Sequence, residues 1–97
     1  MLYDGAIKFL KQAVKAIQTA DLQEKSRNIQ RAREVIFELN TVLDLDAGGE
    51  VAQNLRKLYN FINTHLTEAN ISNDVQMIRD VIGILEKVNE GWKAVTV

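Results

Sequence analysis

The chain has 97 residues and a formal net charge of −1, with 46% apolar and 26% charged side chains. These totals describe one small globular domain whose core is adequate but not generous. So weak a net charge sets no strong field and argues against nucleic acid as a partner.

Charge is only mildly divided, with seven basic and five acidic residues in 1–40 against five and eight in 41–97. Cysteine is absent, so disulfides and thiolate metal sites are excluded. No apolar run approaches the roughly 20 residues that span a bilayer, and membrane insertion is not expected. The N-terminus lacks the basic start and apolar middle of a signal peptide, so the expected location is the cytosol. Proline is also absent, which removes the commonest helix breaker and permits long helices.

The first predicted helix runs from about Leu2 to Thr19, with Leu2, Ala6, Phe9, Ala13 and Ile17 at the three-to-four spacing of a buried face. Residues Asp21 to Lys25 read as a short connection. The second, from about Ser26 to Leu43, buries Ile29, Ala32, Ile36 and Leu39. A linker from Asp44 to Gly49 is short enough to make the second and third helices antiparallel neighbours.

The third helix is predicted from about Glu50 to Ala69 on Val51, Leu55, Leu58, Ile62 and Leu66, with Asn70 as its end. Ser72 is a suitable N-cap for a fourth helix carrying Ile78, Val81, Leu85, Val88 and Trp92. No strand-length alternation competes. The expected fold is all-α, an antiparallel four-helix bundle forming a single domain over residues 1–97. The first helix starts at Met1-Leu2-Tyr3 without a capping residue, which points to a segment upstream in the natural protein.

A search for chemistry finds little. A di-iron bundle needs inward glutamates and repeated Glu-x-x-His, but His65 is the only histidine and Ile62 stands three residues before it. Asp44-Leu45-Asp46 with Gly49 touches the pattern of a calcium loop, yet the twelfth position from Asp44 is Leu55 where a bidentate Glu is required. Capping and turn formation account better for these residues. Gly48-Gly49 lacks the Lys-Ser or Lys-Thr of a phosphate loop, and Glu34/Glu38 read as a solvated face. Neither an enzyme nor a cofactor is expected.

The helical wheel offers a subtler signal. The apolar arc of the second helix spans roughly 140°, whereas the other three reach roughly 180° at 100° per residue. The extra width comes from Tyr3, Ile7 and Val14 beside Leu10 in the first helix, and from Met77, Ile84 and Val95 in the fourth. Each helix of a bundle touches two neighbours, so these flanks can be ordinary core. They can equally form a groove for a partner segment. With Tyr59, these eight residues are the candidate partner-binding set. Phe37 stands alone on a polar face.

Gly5, Gly83 and Gly91 fall inside predicted helices at roughly 1 kcal/mol each relative to Ala. Close helix–helix approach is the bland explanation, and approach of a partner or local flexibility is the alternative.

Several segments together resemble a known family. They are Leu2-Tyr3-Asp4-Gly5-Ala6-Ile7, Leu43-Asp44, Gly48-Gly49-Glu50-Val51-Ala52 and Asn54-Leu55. Leu58-Tyr59-Asn60-Phe61, Ala69-Asn70 with Asp74, and Trp92 near the end complete the set. The chain resembles the flagellar secretion chaperone family, FliS. The resemblance implies an antiparallel helical bundle in the bacterial cytosol that binds the C-terminal segment of flagellin, which is disordered when free and partly helical when bound. It also implies that premature filament assembly is blocked and that the subunit is presented to the flagellar export gate. Members usually carry a segment before the Leu-Tyr-Asp-Gly motif, and this sequence starts at it. A generic helical adaptor or self-associating bundle would use the same flanks for itself.

Overall fold

The computed structural model describes the backbone of residues 2–96 and the side chains of residues 2–91. It comprises α1 (Leu2–Gln18), α2 (Leu22–Thr41), α3 (Leu45–Ser72) and α4 (Val75–Thr96). Each helix packs on its two neighbours in a ring. Among the described residues no Cα of α1 lies within 8 Å of α3, nor of α2 within 8 Å of α4. Short joints and the pairing of Asp4 at the start of α1 with Asn89 late in α4 make the neighbours antiparallel.

The core fills the middle of the ring. Leu10 from α1, Ile29 and Ile36 from α2, Ile62 and Leu66 from α3, and Ile78, Val81 and Leu85 from α4 are all essentially inaccessible. The predicted periodicity placed all eight inside or beside its stripes, because a helix in a ring must bury one face to repay its ordering entropy.

The joints differ from the sequence reading in instructive ways. α2 starts at Leu22, not Ser26, because Asp21 is an N-cap whose carboxylate accepts from the Glu24 amide at 3.1 Å. Ala20 takes the left-handed conformation at φ 59°, and the Asp21 amide returns to the Ala16 carbonyl, closing α1. The N-cap of α4 is Asp74, not Ser72. Its carboxylate accepts from the amides of Gln76 and Met77, while the Ser72 hydroxyl donates back to the Glu68 carbonyl. α3 likewise continues past Asn70 to Ser72, and Asn73 closes it at φ 56°.

The turn expected at Gly48-Gly49 survives as a kink inside α3. Gly49 sits at φ 55°, ψ −132°, a conformation that a Cβ strains, and a side chain on Gly48 would lie 2.6 Å from the Ala52 Cβ. Asp44 caps the short turn before it, accepting from the Asp46 and Ala47 amides at 3.1 and 2.9 Å. The aspartates of this joint therefore serve the helix start, as the capping reading anticipated.

Beyond the kink at Gly49, α3 runs straight from Glu50 to Ser72, about 34 Å at 1.5 Å per residue, along the 44 Å long axis of the molecule. α1 has only 17 residues, and its start lies level with Tyr59. Val51 is 68% exposed although it shares the spacing of Leu55, Leu58 and Ile62.

Candidate functional site

The candidate surface is the groove between α1 and α4. On α1, Ile7 and Val14 lie two turns apart on the flank that faces α4. On α4, Ile82 and Gly83 meet Val14 and Lys11, with Arg79 and Glu86 one turn to either side. Ile7, Val14 and Ile82 are each only 8–9% exposed, so they form a floor rather than projecting knobs. A second depression, lined by Asp4, Ile7, Lys8, Lys11, Gln12 and Lys15, lies on the outer surface of α1 alone and touches the first at Lys11.

Gly83 keeps that floor open. A Cβ built there meets nothing within 4 Å, and the same holds for Gly5 and Gly91. The bland explanation of these glycines, close approach of a neighbouring helix, is therefore overturned. What remains at Gly83 is unfilled space at the bottom of a groove.

The structure divides the eight candidate residues. Ile7 and Val14 are at the groove. Leu10 is 0% exposed at the centre of the core, where no docked chain reaches it unless the helices part. Tyr3 and Tyr59, at 6% and 3% exposure, are likewise core and not flank. Their hydroxyls share a hydrogen bond across the ring between α1 and α3. A wheel assigns a direction to each residue but not the depth at which a neighbour covers it.

Burial is the main cause that raises the Tyr59 pKa well above its ordinary value, followed by the bond to Tyr3. Met77 and Ile84 are half-buried on the opposite flank of α4 from the groove. They lie about one turn either side of Asp80, whose carboxylate stands 4.0 Å from His65 Nε2 of α3. Val95 lies outside the described side chains, as does Trp92.

The groove's charge escaped the sequence reading. Lys8, Lys11 and Lys15 recur at i, i+3 and i+7, which the sequence alone could have shown. The approach of Lys11 to Arg79 and Glu86 needed the packing of α4 on α1.

No reaction centre accompanies the groove. Among the described residues no three His, Cys, Asp or Glu side chains converge on a metal position. His65 stacks on Phe61 with ring centres 5.1 Å apart. Phe37, 68% exposed, is surrounded by Gln30, Arg33, Glu34 and Asn63. Among the described residues no helix is long and apolar enough to cross a membrane.

Comparison with known proteins agrees with this picture of a binding module. A family model described as flagellar protein FliS matches residues 1–97. The flagellar secretion chaperone FliS of Vibrio cholerae is 37% identical over 92 residues, which cover 95% of this chain and 68% of that protein. The namesakes from Salmonella typhimurium and Bacillus subtilis are 36% and 33% identical over 97 and 93 residues. Those matches cover 99% and 96% of this chain and 72% and 68% of the relatives. The chain belongs to the FliS family of flagellar secretion chaperones, which is a family of chaperones and not of enzymes.

Proposed function

We propose that this chain is a cytosolic export chaperone that holds the C-terminal segment of flagellin, prevents its premature polymerisation and assists its delivery to the flagellar export gate. The observation that supports this reading most directly is the groove over Val14, Ile82 and Gly83, an apolar floor with open space at a glycine in a chain of the FliS family. A segment that orders only on binding spends conformational entropy, so it needs a long interface rather than one pocket. The α1/α4 groove is the first seat for such a segment, and the Met77–Ile84 flank on the far side of α4 is the second.

Calorimetry and size exclusion with light scattering, using a peptide of the flagellin C-terminal segment, test this. A one-to-one complex with a negative heat-capacity change is expected, because apolar surface becomes covered. An unchanged elution and no heat at tens of micromolar would rule the reading out.

A further inference from the structure

Lys25 stands where its own helix disfavours a cation. It lies in the first turn of α2, at the positive end of that helix's dipole, and only 5% of it is exposed. A buried lysine needs a partner, yet among the described residues no carboxylate pairs with it. Its ammonium reaches to the end of α3 instead, donating to the Asn70 carbonyl at 2.8 Å and to the side-chain oxygen of Asn73. The hydroxyl of the adjacent Ser26 donates to Asn70 Oδ1 at 3.1 Å.

The corner between α3 and α4 creates the need for this contact. Asn73 is left-handed, at φ 56° and ψ 36°, and both its amide and that of Asp74 return to the Ala69 carbonyl. In a continuing helix the Asp74 amide would bond to the Asn70 carbonyl, which the turn leaves without a partner inside α3. Lys25 supplies that partner, and its charge meets the negative end of the α3 dipole. Asp74 follows at once and caps α4 through the Gln76 and Met77 amides. The fourth helix therefore departs directly from the residue that Lys25 holds.

We propose that Lys25 is a positioning residue for the groove, a cap supplied by α2 that sets the direction of α4 and with it the wall at Ile82 and Gly83. Among the described residues no Cα of α2 lies within 8 Å of α4, so Lys25 acts through Asn73 across the ring. Ile82 is seven residues beyond the first residue of α4, about 10 Å at 1.5 Å per residue. A helix is stiff over that length, so a change of direction at the corner is carried to the groove. The inference concerns the shape of the groove and stands whatever segment docks there.

Lys25→Met in the full chain keeps the apolar stem and removes the donors. Its melting temperature should fall by roughly 5–10 °C, as the loss of one or two buried hydrogen bonds implies for a chain of this size. In NMR spectra the Ile82 methyl and Gly83 amide signals should shift together with those of Asn73 and Asp74. Glycine adopts the Asn73 conformation without strain, so Lys25→Met/Asn73→Gly should recover about half of the lost melting temperature and return the Ile82 and Gly83 signals towards their wild-type positions. Should Lys25→Met not fold, Lys25→Gln, which keeps a shorter polar donor, is measured in the same way with and without Asn73→Gly. An unchanged melting temperature would overturn the cap. Shifts confined to the corner, with Ile82 and Gly83 unmoved, would overturn the positioning role. So would a second substitution that restores neither quantity, because Lys25 would then not act through Asn73.

Discussion

The hydroxyl of Tyr3 in α1 is hydrogen-bonded to that of Tyr59 in α3, a contact that crosses the ring between two helices whose backbones do not otherwise approach. Both side chains are almost fully buried, so neither hydroxyl has water as an alternative partner. Either single Phe substitution leaves one buried hydroxyl unsatisfied, at about 1–3 kcal/mol. The double variant Tyr3→Phe/Tyr59→Phe removes both polar groups and should lose less than the sum of the singles. Urea unfolding of the four proteins measures this, and strict additivity would show that the hydroxyls are independent.

The same pair predicts a pH dependence. Burial first, and then the bond to Tyr3, favour the neutral Tyr59 phenol and raise its pKa above the ordinary 10.0. In the unfolded chain the phenol ionises near its ordinary value, so the unfolded state gives up this proton first. The stabilisation is complete below about pH 10 and is lost as the pH climbs beyond it. Unfolding free energy measured from about pH 9 to 11 should fall more steeply for the wild-type chain than for Tyr59→Phe, and equal slopes would contradict this.

Gly83 separates folding from binding. Gly83→Ala should raise stability by up to about 1 kcal/mol, because a helix-interior glycine is replaced where nothing obstructs a Cβ. Gly83→Leu fills the floor of the groove and should leave the melting temperature near that of wild type while weakening the flagellin peptide by about tenfold. A strongly lowered melting point in Gly83→Ala would mean that the space is not free.

Gly49 should behave in the opposite way. At φ 55° and ψ −132° it lies outside the left-handed helical well that other residues visit, so Gly49→Ala should lower stability by about 1–3 kcal/mol. Thermal melts of the two alanine variants, read side by side, should move in opposite directions.

Ile84→Asp distinguishes the two flanks of α4. Ile84 is half-buried on the side away from the groove. The substitution should weaken the flagellin peptide more than it lowers the melting temperature. A collapsed fold would instead make Ile84 a core residue, and an unchanged flagellin affinity would confine the interface to the groove.

Much of this was legible in the chain. Ala6 and Ala13, Ile29, Ala32 and Ile36, Ile62 and Leu66, and Ile78, Val81 and Leu85 recur at spacings of three, four or seven residues, which fixes four helices and their inner faces. Caps were read less well. Asp21 looked like part of a connection, and Ser72 looked like a cap. An Asp carboxylate in the right backbone conformation wins the role only by reaching amides two or three residues ahead.

By itself the sequence determined the number and order of the helices, their antiparallel joints and the absence of any catalytic set, because each of these depends on local periodicity and residue chemistry. Only the tertiary structure decided which flank residues are core and which are groove. A wheel angle treats Leu10, Tyr3 and Val14 as near neighbours. The neighbouring helices close over Leu10 and Tyr3, but leave Val14 at the foot of an open groove with Ile82. Packing also brought Arg79 to the side of the groove opposite Lys11 of α1 and one tyrosine to another 56 positions away. Contacts between such distant positions have no local signature, and the closing of the ring creates them.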